Sequence, residues 1–169
     1  MKSIIIWITG ISGVGKTTLA KSIIQKLKRK KINLIHLDGD EFRKTFKNDL
    51  GYTLRDRNLN AERLISFVSF LNKQGFSIII SANLTSKKFL SICRKKFLNF
   101  FHVHICCELE VLKKRDPKKI YKKNKNVVGI HIKNSEINNA NFLIHNKSTT
   151  TKFLNNGNII IKKLFKNFN

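Results

Sequence analysis

Residues 10–17 read GISGVGKT. An apolar run, IIIWIT (4–9), leads into them, and an amphipathic stretch, TTLAKSIIQKLKRK (17–30), leads out. A glycine, four residues and then Gly-Lys-Thr, set between a strand and a helix, is the spacing of a phosphate-binding loop. Gly10, Gly13 and Gly15 let backbone N–H groups turn inward with no side chain in the way. Those donors join the helix N-terminus to form an anion nest, in which Ser12 and Val14 complete the loop. Lys16 is expected to reach the β- and γ-phosphates of ATP. Thr17 is expected to offer its hydroxyl to Mg2+, with Thr18 next to it at the helix start. A chance glycine-rich turn does not explain strand, spacing and helix together.

The rest of the chain repeats this alternation. Apolar runs recur at 4–9, 32–37, 76–82, 101–106 and 141–144, mostly continuous, as expected of strands buried on both faces. Helical patterns lie between them. Residues 17–30 place Leu19, Ile23, Ile24 and Leu27 on one stripe, and residues 58–73 do the same with Leu64, Phe67, Val68 and Leu71, with Gly75 as a stop. Residues 86–98 and 108–115 also read as helical. The expected fold is therefore α/β: a three-layer P-loop NTPase, nucleoside-kinase-like, with a mainly parallel sheet flanked by helices. KKRDPKKIYKKNKN (113–126) carries nearly all its charge in one sign and has few apolar anchors, which marks a basic lid over about 113–128. NNGN (155–158) is expected to separate two short elements, the second a basic helix. With no repeat and no linker, residues 1–169 read as a single domain, of a size that hides roughly 70% of its unfolded surface.

Lys plus Arg number 34 against 10 Asp plus Glu, a net charge of +24. Such an excess points first to nucleic acid or a membrane surface. The charge is spread along the chain, however, in a composition also rich in asparagine, isoleucine and phenylalanine, which compositional bias produces everywhere at once. Neither zinc-finger spacing nor an RNA-binding aromatic motif is present. Small anionic ligands are the expected partners, and nucleic acid is not. The apolar N-terminal stretch stops at Thr9-Gly10, far short of the roughly 20 residues of a membrane span, and it lacks a signal-peptide cleavage site. The expected location is the cytoplasm. Cys93, Cys106 and Cys107 show no metal-ligand spacing and read as free, mostly buried thiols, the adjacent pair pointing to opposite faces of a strand.

HLDGDEFR (36–43) supplies the second half of a site. Ligands of parallel sheets sit beyond the carboxyl ends of the strands, so Asp38 and Asp40, following the apolar INLI (32–35), fall near the transferred phosphate. One carboxylate can orient Mg2+ and the other can take the proton of an acceptor hydroxyl. Arg43 lies one helical turn on and can hold an anionic group. Either aspartate alone could instead be a helix N-cap.

GISGVGKTTLA, LDGDEFR, GYTLRDRNLN (51–60) and KKRDPKKIYKK (113–123) resemble adenylylsulfate kinases in order and spacing, over roughly residues 3–146. That family transfers the γ-phosphate of ATP to the ribose 3′-hydroxyl of adenylylsulfate. The resemblance implies catalytic roles for Lys16, Asp38 and Asp40, with Asp40 beside the acceptor hydroxyl and Asp38 by the metal with Thr17. It implies that Arg43, Tyr52, Arg57, Asn60 and the lid residue Lys118 grip the acceptor, that Arg115 lies near ATP, and that a homodimer is the frequent assembly. The sequence departs from the family in four places. Glu62 replaces one of a pair of arginines. SANLTS (81–86) replaces an Ile-Ser-Pro motif. The lid is shorter, with Val127 where an aromatic packs on the acceptor base. A Pro-Tyr-Glu that usually follows is absent. These changes leave open a sibling kinase for another activated nucleotide, such as a cytidine diphosphoramidate for surface polysaccharide. A non-catalytic, nucleic-acid-binding P-loop protein is a third reading, opposed by the intact Lys16, Thr17, Asp38, Asp40 and Arg43.

Overall fold

The computed structural model describes residues 3–29, 34–84, 86–115, 128, 132, 139–147 and 149–166. Five strands, β1 (Ile5–Thr9), β2 (Ile35–Asp38), β3 (Ile78–Ser81), β4 (Phe100–Cys106) and β5 (Phe142–His145), form one sheet in the order β2-β3-β1-β4-β5. Every pairing in it is parallel. The intervening helices are α1 (Lys16–Lys28), α2 (Gly39–Thr45), α3 (Leu54–Lys73), α4 (Lys87–Lys96), α5 (Leu109–Arg115) and α6 (Thr150–Lys166).

The continuous apolar strands explain the layering. Along β1, Ile6 and Ile8 face a core shared with α1 and α6, through Leu19, Ile23, Phe153, Ile160 and Leu164. Ile5 and Trp7 face a second core shared with α3 and α4, through Leu64, Val68, Phe89 and Cys93. A strand buried on both faces cannot alternate polar and apolar residues, and this one does not. The Trp7 indole N–H, which burial would otherwise leave unpaired, donates to the Ala82 carbonyl at 3.0 Å.

Four expectations are corrected. NNGN does not divide the C-terminal segment, since α6 runs unbroken through it. Phe153, Gly157, Ile160, Ile161 and Leu164 form one buried stripe, and a Cβ at Gly157 would lie 3.4 Å from Ile23 Cγ1. The glycine thus serves close helix packing rather than a break. Helix α3 starts at Leu54 rather than at 58, because Thr53 caps it. The Thr53 hydroxyl accepts the Asp56 backbone N–H at 3.2 Å, and the Asp56 carboxylate accepts the Thr53 N–H at 3.3 Å. Within α3, Phe67 sits at the exposed edge of the expected stripe, tilted on Phe42, while Leu64 and Val68 are buried. Of the three free cysteines only Cys93 is buried; Cys106 and Cys107 are both half-buried, because β4 ends between them.

Candidate active site

The phosphate loop forms because β1 delivers the chain into a turn that only glycine tolerates. Gly10 has φ 139°, and a Cβ there would lie 2.5 Å from the Ile105 carbonyl oxygen. Gly13 and Gly15 also have positive φ, at 76° and 103°. Val14 is fully buried and anchors the loop in the core, and its carbonyl accepts Asn146 Nδ2 at 3.0 Å. Ser12 is half-buried in the loop, and Thr18 is exposed at the first turn of α1. Lys16 lies across the loop, donating to the carbonyls of Gly10 at 2.8 Å and Ile11 at 3.0 Å. Its ammonium is thus held over the nest, where a polyphosphate would meet it.

Strand β2 carries Asp38 to the same edge. Its Oδ2 accepts the Thr17 hydroxyl at 2.6 Å, which ties the strand end to the first turn of α1. Its Oδ1 accepts the backbone N–H groups of Asp40 at 3.0 Å and Glu41 at 3.4 Å, capping α2. One oxygen of this aspartate thus caps α2 while the other reaches the first turn of α1. Burial alone would raise the Asp38 carboxyl; bonds from Thr17 and the two backbone N–H groups, with the nearby His36, outweigh it and hold the group below the ordinary carboxylate range. Gly39 lets the two aspartates follow each other so closely, since a Cβ there would lie 2.8 Å from Ala82 Cβ. Asp40 is exposed on the first turn of α2.

In α2, Arg43 is 6% exposed, and its Nη1 donates to the carbonyls of Gly51 at 3.0 Å and Leu50 at 3.4 Å. Those bonds fix the loop that carries Tyr52. The Tyr52 ring lies 4.9 Å from the Arg43 guanidinium and 5.3 Å from that of Arg57. Arg57 also donates to the Tyr52 carbonyl at 3.0 Å. Burial, and then the charge of Arg43, push the Arg57 guanidinium down from its ordinary value, while Asp40 acts in the opposite sense. Two arginines that repel each other at the mouth of the sheet are what an anionic ligand relieves. Asn60 is buried one turn beyond Arg57, and its Oδ1 has no partner among the described residues. Arg115 ends α5, exposed. Lys118, Val127 and the lid beyond Arg115 lie outside the described residues, apart from Val128.

Three residues here escaped the sequence reading. Ser81 closes β3 in register with Asp38, and its hydroxyl reaches Asp38 Oδ2 at 3.4 Å and His36 Nε2 at 2.6 Å. Its signal was a single polar residue ending an all-isoleucine strand. Arg63 clamps Asp49 with two bonds, at 3.0 and 2.8 Å, and covers the Phe46 ring at 4.1 Å, bracing the same acceptor loop. Asn83 follows β3 with both side-chain polar atoms buried and without a partner among the described residues.

The residues present suit a magnesium nucleotide. Thr17 and Asp38 supply two hard oxygen donors side by side, and Mg2+ at phosphoryl sites takes one or two protein oxygens, the rest coming from phosphates and water. Among the described residues no group of three or more His, Cys, Asp or Glu could cage a metal. No helix among the described residues is long and apolar enough to cross a membrane.

A family model for adenylylsulphate kinase matches residues 2–144. A cytidine diphosphoramidate kinase of Campylobacter jejuni is 36% identical over 168 residues, 95% of this chain and 95% of the relative. A probable adenylyl-sulfate kinase of Pyrococcus abyssi is 37% identical over 123 residues, 73% of this chain and 71% of the relative. Among solved structures, the APS kinase of Mycobacterium tuberculosis in complex with AMPPNP and APS superposes with a TM-score of 0.87 at 26% identity, covering 98% of both chains.

Proposed function

The chain belongs to the adenylylsulphate kinase family, and from that premise we propose that it transfers the γ-phosphate of ATP to a ribose hydroxyl of an activated nucleotide, with cytidine diphosphoramidate as the acceptor. The observation that carries the phosphotransferase part is the 2.6 Å bond between Thr17 and Asp38, which joins the phosphate loop to the acceptor strand in one site. The acceptor assignment is supported by the relative of that activity matching along 95% of both chains, beyond the 73% matched by the Pyrococcus kinase.

Each side chain then has a task. Magnesium-bound ATP supplies the transferable phosphoryl group and part of the charge neutralisation. The loop of Gly10, Ser12, Gly13, Val14 and Gly15 holds the phosphates through backbone N–H groups, with Thr18 at the helix start and Arg115 on the nucleotide side. Lys16 exchanges its two loop carbonyls for phosphate oxygens and stays with them as charge develops. Thr17 and Asp38 hold the metal. Asp40, in reach of the same strand end, accepts the proton of the ribose hydroxyl as it attacks. Arg43 and Arg57 hold the acceptor's anhydride, Tyr52 offers a ring to its base, and Asn60 and Lys118 complete the grip. The Asp38 carboxyl, held below its ordinary range, is fully ionised at neutral pH, as a metal ligand must be.

A second reading takes adenylylsulfate itself as the acceptor. The family match over residues 2–144 favours it. One experiment separates the two. Purified protein with magnesium and ATP is offered cytidine diphosphoramidate and adenylylsulfate in parallel, and ADP release is followed. Faster turnover of the cytidine compound supports the first reading, and turnover of adenylylsulfate alone replaces it with the second. Dependence on neither compound removes both.

A further inference from the structure

Asn83 carries the inference. Both of its side-chain polar atoms are buried, and neither has a partner among the described residues. Because both ends of the amide are orphaned, exchanging its O and N changes nothing: the site needs one donor and one acceptor from elsewhere. Leaving a buried amide unpaired is costly, and such groups in native structures are paired.

Its place in the fold says which ligand would pair it. Strand β3 lies between β1, which runs into the phosphate loop, and β2, which ends in Asp38. Beyond Ser81 the chain stays pinned to β1, with Ala82 N donating to the Ile8 carbonyl at 3.2 Å. Ala82 also fills the space a Cβ would need at Gly39, between the two aspartates. Ala82 and Leu84 are both buried in the core under α3 and α4. Continuing the alternation of β3 past Ser81 assigns Asn83, between them, to the opposite side, that of Ser81, whose hydroxyl reaches Asp38. That is the reacting end of the site, where the acceptor hydroxyl must arrive.

We propose that Asn83 is a specificity-determining residue that holds the acceptor's vicinal ribose hydroxyls, its amide N–H donating to one oxygen while its amide oxygen accepts from the other O–H. A vicinal diol offers a donor and an acceptor on neighbouring atoms, the complement of a carboxamide. This deepens the proposed kinase reading and rests on it. It makes the enzyme a reader of ribose against deoxyribose, a discrimination built from a polar pair left unmatched when one hydroxyl is missing.

The test compares wild type, Asn83→Leu and Asn83→Ala with ribo- and 2′-deoxy forms of cytidine diphosphoramidate and of adenylylsulfate. The readouts are kcat/KM, the KM for ATP and Tm. Wild type is expected to prefer the ribo acceptor by about tenfold to a hundredfold, the value of one unpaired buried group. In both variants that ratio should fall to about twofold or less, with the KM for ATP unchanged. Asn83→Leu should keep or raise Tm, since it removes two unsatisfied polar atoms, whereas a structural asparagine would lower it. Retention of the ribo preference in both variants, or a wild type indifferent to the 2′-hydroxyl, overturns the assignment. So does a changed preference between the cytidine and adenine acceptors in its place, which would put the amide on the base. No turnover of any nucleotide by wild type refutes the kinase reading as well, and is distinguishable from these.

Discussion

Asp38→Asn separates two duties that one side chain performs. Asn is as good an N-cap as Asp, so the variant keeps an oxygen for the backbone N–H groups of Asp40 and Glu41. It replaces the oxygen that accepts Thr17 at 2.6 Å by an uncharged NH2, which can only donate to the Thr17 hydroxyl. A hydrogen bond to a charged group is worth about 1.5–3 kcal/mol and a neutral one about 1 kcal/mol. The stability cost is then about 1 kcal/mol, or roughly 2–4 °C in Tm for a chain of this size. The catalytic cost is larger. A unit charge about 4 Å from a cation is worth roughly 4 kcal/mol at an effective dielectric of 20, which is nearly three decades in rate. Asp38→Ala loses the cap too and should fall by about a further 1 kcal/mol in stability with little further loss of turnover. Thermal denaturation and coupled ADP release measure the two quantities on the same samples. An Asp38→Asn enzyme within tenfold of wild type, or one as unstable as Asp38→Ala, refutes the division of labour between the two oxygens.

Four further outcomes are expected. Lys16→Ala should lose nearly three decades in kcat by the same Coulomb reasoning while its circular dichroism and Tm stay close to wild type, because its two bonds reach only loop carbonyls. Gly157→Ala should raise Tm by a few degrees, since alanine gains up to about 1 kcal/mol in a helix interior and its Cβ meets Ile23 at a tolerable 3.4 Å; a lowered Tm would contradict the continuous α6. Tyr52→Ala should weaken the acceptor by roughly 1–3 kcal/mol, the value of base–aromatic stacking, and leave the KM for ATP alone. Tm should also fall with acidification between about pH 6.5 and pH 3. Burial, with His104 and Arg94, pushes His102 from 6.5 to about 3, so in that window the unfolded chain binds the extra proton. His102's contribution is complete above pH 6.5 and is lost as pH falls; a His102→Gln variant should flatten the slope.

The phosphate loop and the doubly buried strands were legible because both are local: glycine spacing and continuous apolar runs require no knowledge of distant partners. The place of Asp38 at the end of β2, beside Thr17, was legible for the same reason, since a strand's end fixes what lies beyond it. Helix α6 was misread because Gly157 was weighed as a breaker on local propensity, while its tertiary role, close contact with Ile23, came from a helix more than a hundred residues away. Ser81 and Arg63 were missed because each matters through a neighbour set by sheet register or loop packing: Ser81 through Asp38 and Arg63 through Asp49. Arg43 was read as an anion holder, and its burial adds a structural task, bracing the loop under Tyr52, which no spacing rule reveals.

On the proposed reading, a phosphoryl group moves from ATP to a ribose hydroxyl across the Thr17–Asp38 junction. Phosphorus NMR of a reaction with magnesium, ATP and cytidine diphosphoramidate tests this directly. The account predicts equal amounts of ADP and of a product with one new ribose phosphomonoester, its amidate anhydride intact. ATP hydrolysis to free phosphate with the nucleotide unchanged, or no dependence of ATP consumption on any nucleotide acceptor, contradicts it.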